Sequence, residues 1–162
     1  MQIITPCLWF DSNAEEAVTF YTSIFKDSKI GKVARYGEAG FEFHGKPPGS
    51  VMSIEFELAG QKFTALNGGP VFQFNEALSF QVGCDTQEEI DSYWDQLTAG
   101  GDPAAQQCCW LKDKFGLSWQ IVPNILAEML SDAGGRASDK VMGVLLQMKK
   151  PEIEKLKEAC AG

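Results

Sequence analysis

In SVMSIEFEL (50–58), Glu55 and Glu57 alternate with Ile54, Phe56 and Leu58. That is the two-residue period of a strand with one face on a core and one in water. KIGKVARY (29–36) and QKFTALN (61–67) are also short and rich in β-formers, and Gly/Pro punctuation at GEAG, GKPPG and AG separates the three segments. QIITPCLWF reads as an opening strand. DSNAEEAVTFYTSIF (11–25) has a different period. Ala17, Phe20, Tyr21 and Ile24 recur at helical spacing, Asp11 or Ser12 can cap the helix, and Glu15 and Glu16 suit its positive N-terminal end.

The same order returns downstream. SFQVGCDTQEEIDSYWDQLTAGG (79–101) gives a strand, Asp85 and Thr86 as cap candidates, a Glu-Glu pair, an amphipathic helix and a Gly100-Gly101 stop. The two helices align without a gap, and GQKFTAL (60–66) lies over GLSWQIV (116–122), with Phe63 on Trp119 and Thr64 on Gln120. AAQQCCWLKD and LSWQIVP pair around a turn at Lys114-Phe115-Gly116. Each half is thus approximately βαβββ, the second a strand short, with units over about 1–70 and 76–124. The remainder, about 125–162, is a helical tail. Its first helix is expected from Ser138 or Asp139 to Lys149, with a break at Pro151 and a short charged helix to about Ala159. Val141, Val144, Leu145 and Met148 form an apolar face that needs a cover.

Composition narrows the partners. A net charge of −8 disfavours a sequence-independent grip on nucleic acid and an anionic membrane surface, both of which call for basic residues. No apolar run approaches the roughly 18 residues that span a bilayer. The chain opens without a basic and apolar leader, and its five cysteines lack CxxC spacing. A cytoplasmic protein with reduced thiols is expected.

WFDSNAEEAVTFYTSIF, ALNGGPVFQFNEALSFQV, CWLKDKFGLSWQIVP and VMGVLLQMKKPEIEKL resemble the PhnB-like branch of the vicinal oxygen chelate superfamily. That superfamily holds glyoxalase I, bleomycin-resistance proteins and extradiol dioxygenases. The branch is often labelled 3-demethylubiquinone-9 3-methyltransferase. The resemblance implies an α+β fold over 1–162: tandem βαβββ units forming an open, cup-shaped incomplete barrel, with a C-terminal helical extension. Metal-using relatives offer His or Glu from four strand positions. Carried over, these are Thr5 (or Pro6), Thr64, Ser79 and Gln120. Strand alternation turns Ser118, Gln120 and Val122 one way and Trp119 and Ile121 the other, so Gln120 faces the cup; Ser79 and Gln81 follow it.

Hydroxyls and amides are weak, uncharged donors, so no metal and no other cofactor is expected. His44 lies in FEFHGKPPG, away from all four positions, and Cys7 alone does not make a site. Methyltransferase activity is not expected either, because a methyl donor of the S-adenosylmethionine kind sits on a glycine-rich loop where this chain has DSNAEE. Trp110 either walls the cup or fills the core. The loop VFQFNEA either packs as a turn or forms an aromatic lid, with Glu76 as the candidate general base.

Cys108 and Cys109, read as strand residues, point to opposite faces. Cys108 is the candidate nucleophile, with Lys112 and Lys114 as the nearby cations; the branch tends to carry Cys then Gly here. The family habit of pairing and the apolar tail face imply a homodimer. Three roles stay open: a metal-independent small-molecule-binding protein, an isomerase- or lyase-type enzyme on a small oxygenated metabolite (using Glu76 or a recruited divalent metal), and a structural or regulatory partner protein. The cup as read from its residues suits a neutral, modest-sized, aromatic ligand.

Overall fold

A computed structural model of the chain describes residues 3–131 and 135–162. Gln2 of the expected opening strand and residues 132–134 of the tail lie outside them. The chain divides into two compact units, Met1–Gln73 and Phe74–Gly162.

Unit 1 comprises β1 (Cys7–Phe10), α1 (Ala14–Ile24), β2 (Lys29–Arg35), a one-turn α2 (Phe41–His44), β3 (Val51–Leu58) and β4 (Gln61–Asn67). The sheet order is β1-β4-β3-β2, with β1 parallel to β4 and the other pairs antiparallel. Alternation places Ile54, Phe56, Leu58, Phe63 and Ala65 in the core beneath α1, whose Ala17, Val18 and Tyr21 are wholly buried. Phe56 and Phe63 face each other in register and stack at 5.3 Å. The opening strand is shorter than expected. Pro6 has no N–H for a ladder, although its carbonyl accepts from Thr64 N at 2.9 Å.

The cap of α1 is a correction. Neither Asp11 nor Ser12 serves; the N-cap is Asn13, whose side chain makes no cap bond. The first helical amide, Ala14 N–H, instead donates to Asn67 Oδ1 at 2.9 Å, from the far end of β4. Asn67 is 5 % exposed, and its Nδ2 donates to Val51 O at 3.1 Å. Beside it Gly68 is obligatory: a Cβ there would lie 2.2 Å from the Trp9 indole, whose Nε1 donates to Gly69 O.

Unit 2 comprises β5 (Ser79–Cys84), α3 (Gln87–Thr98), a 3-10 turn (Pro103–Ala105), β6 (Trp110–Lys112), β7 (Ser118–Pro123), α4 (Leu126–Ser131), α5 (Arg136–Leu145) and α6 (Ile153–Ala161). The sheet order is β5-β7-β6, one strand fewer than unit 1. Here the cap falls where the sequence puts it: Thr86 Oγ1 accepts from Glu89 N, and Glu89 Oε2 accepts from Asp85 N, a reciprocal capping arrangement.

AAQQCC is not strand. The 3-10 turn takes Pro103–Ala105, and Gln107 bridges to Trp110 across a tight turn in which Cys108 and Cys109 both have positive φ, 50° and 71°. The two thiols therefore do not alternate across a sheet. Their amides donate to Met148 O (2.8 Å) and Lys149 O (3.0 Å) of the tail. Left-handed backbone at 109 is a position glycine adopts more cheaply than cysteine.

The tail's first expected helix starts earlier and stops earlier, at Leu145. Its apolar face is covered within the unit: Val141, Leu145 and Met148 are buried with Leu126, Leu156 and Cys109. The case for a homodimer from that face lapses. Among the described residues no helix is long and apolar enough to cross a membrane.

Candidate functional site

The open face of the unit 2 sheet gathers four of the expected site residues, Ser79, Gln81, Gln120 and Trp110. Gln81 and Gln120 are register partners on β5 and β7, as are Ser79 and Ser118. Gln120 Nε2 donates to Ser79 Oγ at 2.8 Å, and Gln81 Nε2 donates to Gln120 Oε1 at 3.2 Å. The result is a row of neutral side chains across two strands. Trp119 and Ile121 (3 % and 0 % exposed) pack on the other face, which is why Gln120 turns away from the core. Trp110, half-buried, is the partner of Gln120 on β6.

Next to this row is a cavity of about 350 Å³, lined among others by Glu76, Ala105, Cys108, Trp110, Lys112 and Ser118. Lys112 and Ser118 are cross-strand partners. Lys112 Nζ pairs with the Glu76 carboxylate. That hydrogen bond, with the charge behind it, holds the Glu76 carboxyl below the usual range, which weakens it as a proton acceptor. Cys108 is half-buried, and desolvation pushes its thiol up; Cys109, buried and next to Cys108, is pushed up to about 12. Neither environment favours thiolate.

Thr5 and Thr64 belong to unit 1. They line one cavity of about 350 Å³ with Lys29, Glu55, Glu57 and Lys62. The register partner of Thr64 is Cys7, and on its other side Glu55. Cys7 thus holds in unit 1 the position that Gln81 holds in unit 2. His44 is elsewhere: its Nδ1 accepts from Lys46 N at 2.9 Å, so its Nε2, 3.3 Å from Ala39 O, is the donor and neither nitrogen is left to ligate. Phe72 of the expected lid packs edge-on against Trp9 at 5.0 Å and is otherwise exposed.

The donor set does not fit the divalent ion of metal-using relatives. Thr5, Thr64, Ser79 and Gln120 supply no negative charge, and among the described residues no group of three or more His, Cys, Asp or Glu side chains could hold an ion.

Two residues of unit 2 were not singled out in advance. Asp113, 2 % exposed, accepts from Phe115 N, Leu117 N and Trp119 Nε1 at 2.8–3.1 Å. The spacing Asp113-x-x-Gly116 is a type I turn signal that could have found it. Ser118 follows from alternation alone, but its burial does not. Its Oγ is a buried side-chain polar atom without a partner among the described residues.

Two α+β units, each with one helix against one sheet and the first and last strands parallel, define a glyoxalase-like fold. The chain belongs to the family described as 3-demethylubiquinone-9 3-methyltransferase, whose model matches residues 2–122. The PhnB protein from Bacillus cereus is 37% identical, with a TM-score of 0.63 over 75% of this chain and 99% of its own. PA1353 from Pseudomonas aeruginosa (18% identity, TM-score 0.56, 76% and 98% covered) shares the fold. So does the fosfomycin resistance protein FosX from Listeria monocytogenes (16% identity, TM-score 0.55, 80% and 96% covered). No curated protein matches the chain. The tail stretch VMGVLLQMKKPEIEKL lies beyond the matched residues.

Proposed function

We propose that the protein binds a small organic molecule, without a divalent metal, on the open sheet face of unit 2. The observation that carries this is the Ser79–Gln120–Gln81 row, which offers hydrogen-bonding hydroxyl and amide groups beside an apolar cavity of the size ligand sites start from, about 300 Å³. Neutral donors orient a ligand without the charge an ion needs.

The enzymatic alternative asks Glu76 to take a proton, and its pairing with Lys112 works against that. We do not carry over the methyl transfer named in the family's description. The segment after β1 enters α1 through Asp11-Ser12-Asn13, and the helix's first amide is already occupied by Asn67, where a glycine-rich loop would present free amides to a donor.

The test is metal analysis of purified protein by plasma mass spectrometry, followed by a thermal-shift screen of small aromatic compounds. Metal far below one equivalent is expected, with a stabilising compound whose effect is lost in Gln120→Leu. Near-stoichiometric zinc, iron or nickel would overturn the proposal.

A further inference from the structure

The cavity beside the amide row contains an unexplained hydroxyl and a cation held by a replaceable partner. Ser118 is 1 % exposed, lines the cavity, and has no hydrogen-bond partner for its Oγ among the described residues. A buried hydroxyl without a partner is costly, and the cavity that Ser118 lines has room for a group to supply one. Lys112 lies opposite Ser118 in the β6–β7 ladder, and directly opposed side chains start about 5 Å apart. A single group can therefore touch both.

The present occupant of Lys112 is Glu76, and the two differ in exposure. The Lys112 side chain is 24% exposed and that of Glu76 is 61%. Glu76 precedes β5 outside regular structure, so it returns to water at little cost. Lys112, partly enclosed by the cavity, keeps its need for a counter-ion. The remaining wall is formed by Trp110, Leu111, Ala105, Cys108 and Gln107, whose amide nitrogen is already committed to Leu146 O at 2.7 Å.

We propose that this cavity is an anion subsite for a small aromatic monocarboxylate, which replaces Glu76 on Lys112 and accepts the Ser118 hydroxyl while its ring lies against Trp110. The inference rests on the small-molecule role proposed above and adds the ligand class. It departs from the neutral ligand that the sequence suggests, because the sequence alone does not place Lys112 beside Ser118. Glu76 is then a resident competitor. A charged ligand exchanges one ion pair for another and gains the Ser118 bond, whereas a neutral ligand leaves Glu76 in place.

The experiment is isothermal titration calorimetry of the full chain with benzoate and with benzamide, its neutral isostere. Benzoate should bind at least tenfold more tightly. Glu76→Gln should tighten benzoate severalfold and leave benzamide unchanged, and because that side chain is exposed the variant's folding is not at risk. Lys112→Met should abolish the preference for benzoate, with unchanged circular dichroism. Equal affinity for the two probes would overturn the anion subsite and leave the broader role standing. A Glu76→Gln variant that binds benzoate no better than the parent, or benzoate that does not bind at all, would also overturn it. The broader role fails separately, on stoichiometric metal.

Discussion

Unit 1 and unit 2 follow one backbone plan and finish it with different side chains. In each, a strand leads into a helix with two glutamates in its first turn, and the last sheet strand runs parallel to the first. Unit 1 ties its helix down from a distance, through Asn67 on β4. Unit 2 lets α3 cap itself with Thr86 and Glu89. It spends its buried carboxylate, Asp113, on the β6–β7 turn, and substitutes tail carbonyls for part of a missing strand. The two units share the hydrophobic pattern and differ in their polar fastenings. The open faces differ likewise: charged Lys29, Glu55, Glu57 and Lys62 in unit 1, amides and an indole beside a single Lys112–Glu76 pair in unit 2.

The sharpest way to break this comparison is Asp113→Ala. Three donors lose a buried carboxylate at once, and the expected loss is about 3–4 kcal/mol in urea unfolding. A loss below about 1 kcal/mol would mean that the turn holds without it. Next comes a contrast between the two helix fastenings. Asn67→Ala removes two buried long-range bonds and should cost about 2–3 kcal/mol, while Thr86→Ala removes one exposed cap and should cost about 1 kcal/mol. Equal costs would remove the distinction drawn here.

The smallest effect lies at Asp91 of α3. The hydrogen bond from Lys150, then that from Gln87, lowers its pKa from the ordinary 3.8. A carboxyl with a lowered folded pKa adds stability above its unfolded pKa and loses it as the pH falls through the folded one. Its side chain is 45% exposed, so Asp91→Asn should cost only about 0.5 kcal/mol at pH 7. Parent and variant should converge in thermal melts as the pH falls through the lowered pKa of Asp91; a difference that persists once the carboxyl is protonated would assign the effect to packing.

The sequence-legible part was whatever repeats within a few residues. Alternation located β3, β4, β5 and β7, and with it the direction in which Gln120 points. The helical period located α1 and α3. What escaped depends on partners remote in the chain. Asn67 reads only as the end of the strand QKFTALN, because its partners, Ala14 and Val51, lie in other elements. Cys108 and Cys109 read as strand because nothing local announces that Met148 and Lys149 will hold their amides in a left-handed turn. Asp113 was hidden differently: its turn signal sits inside a run that looks like β-structure. The Ser79–Gln120 contact was half legible, since the duplication marked both positions and only the register made them touch.

The grip of the tail on Cys108 and Cys109 also sets an order of events during synthesis. The pairings of unit 1's sheet are complete once β4 has left the ribosome. The flank of β6 waits for Met148 and Lys149, long after its own residues have emerged. Domains fold as they emerge, N-terminal part first, so the nascent protein passes through a stage in which unit 1 has its whole sheet while the Cys108 and Cys109 amides of unit 2 still lack their tail carbonyls. The turn that leads into β6 is therefore among the last parts of the chain to be fastened.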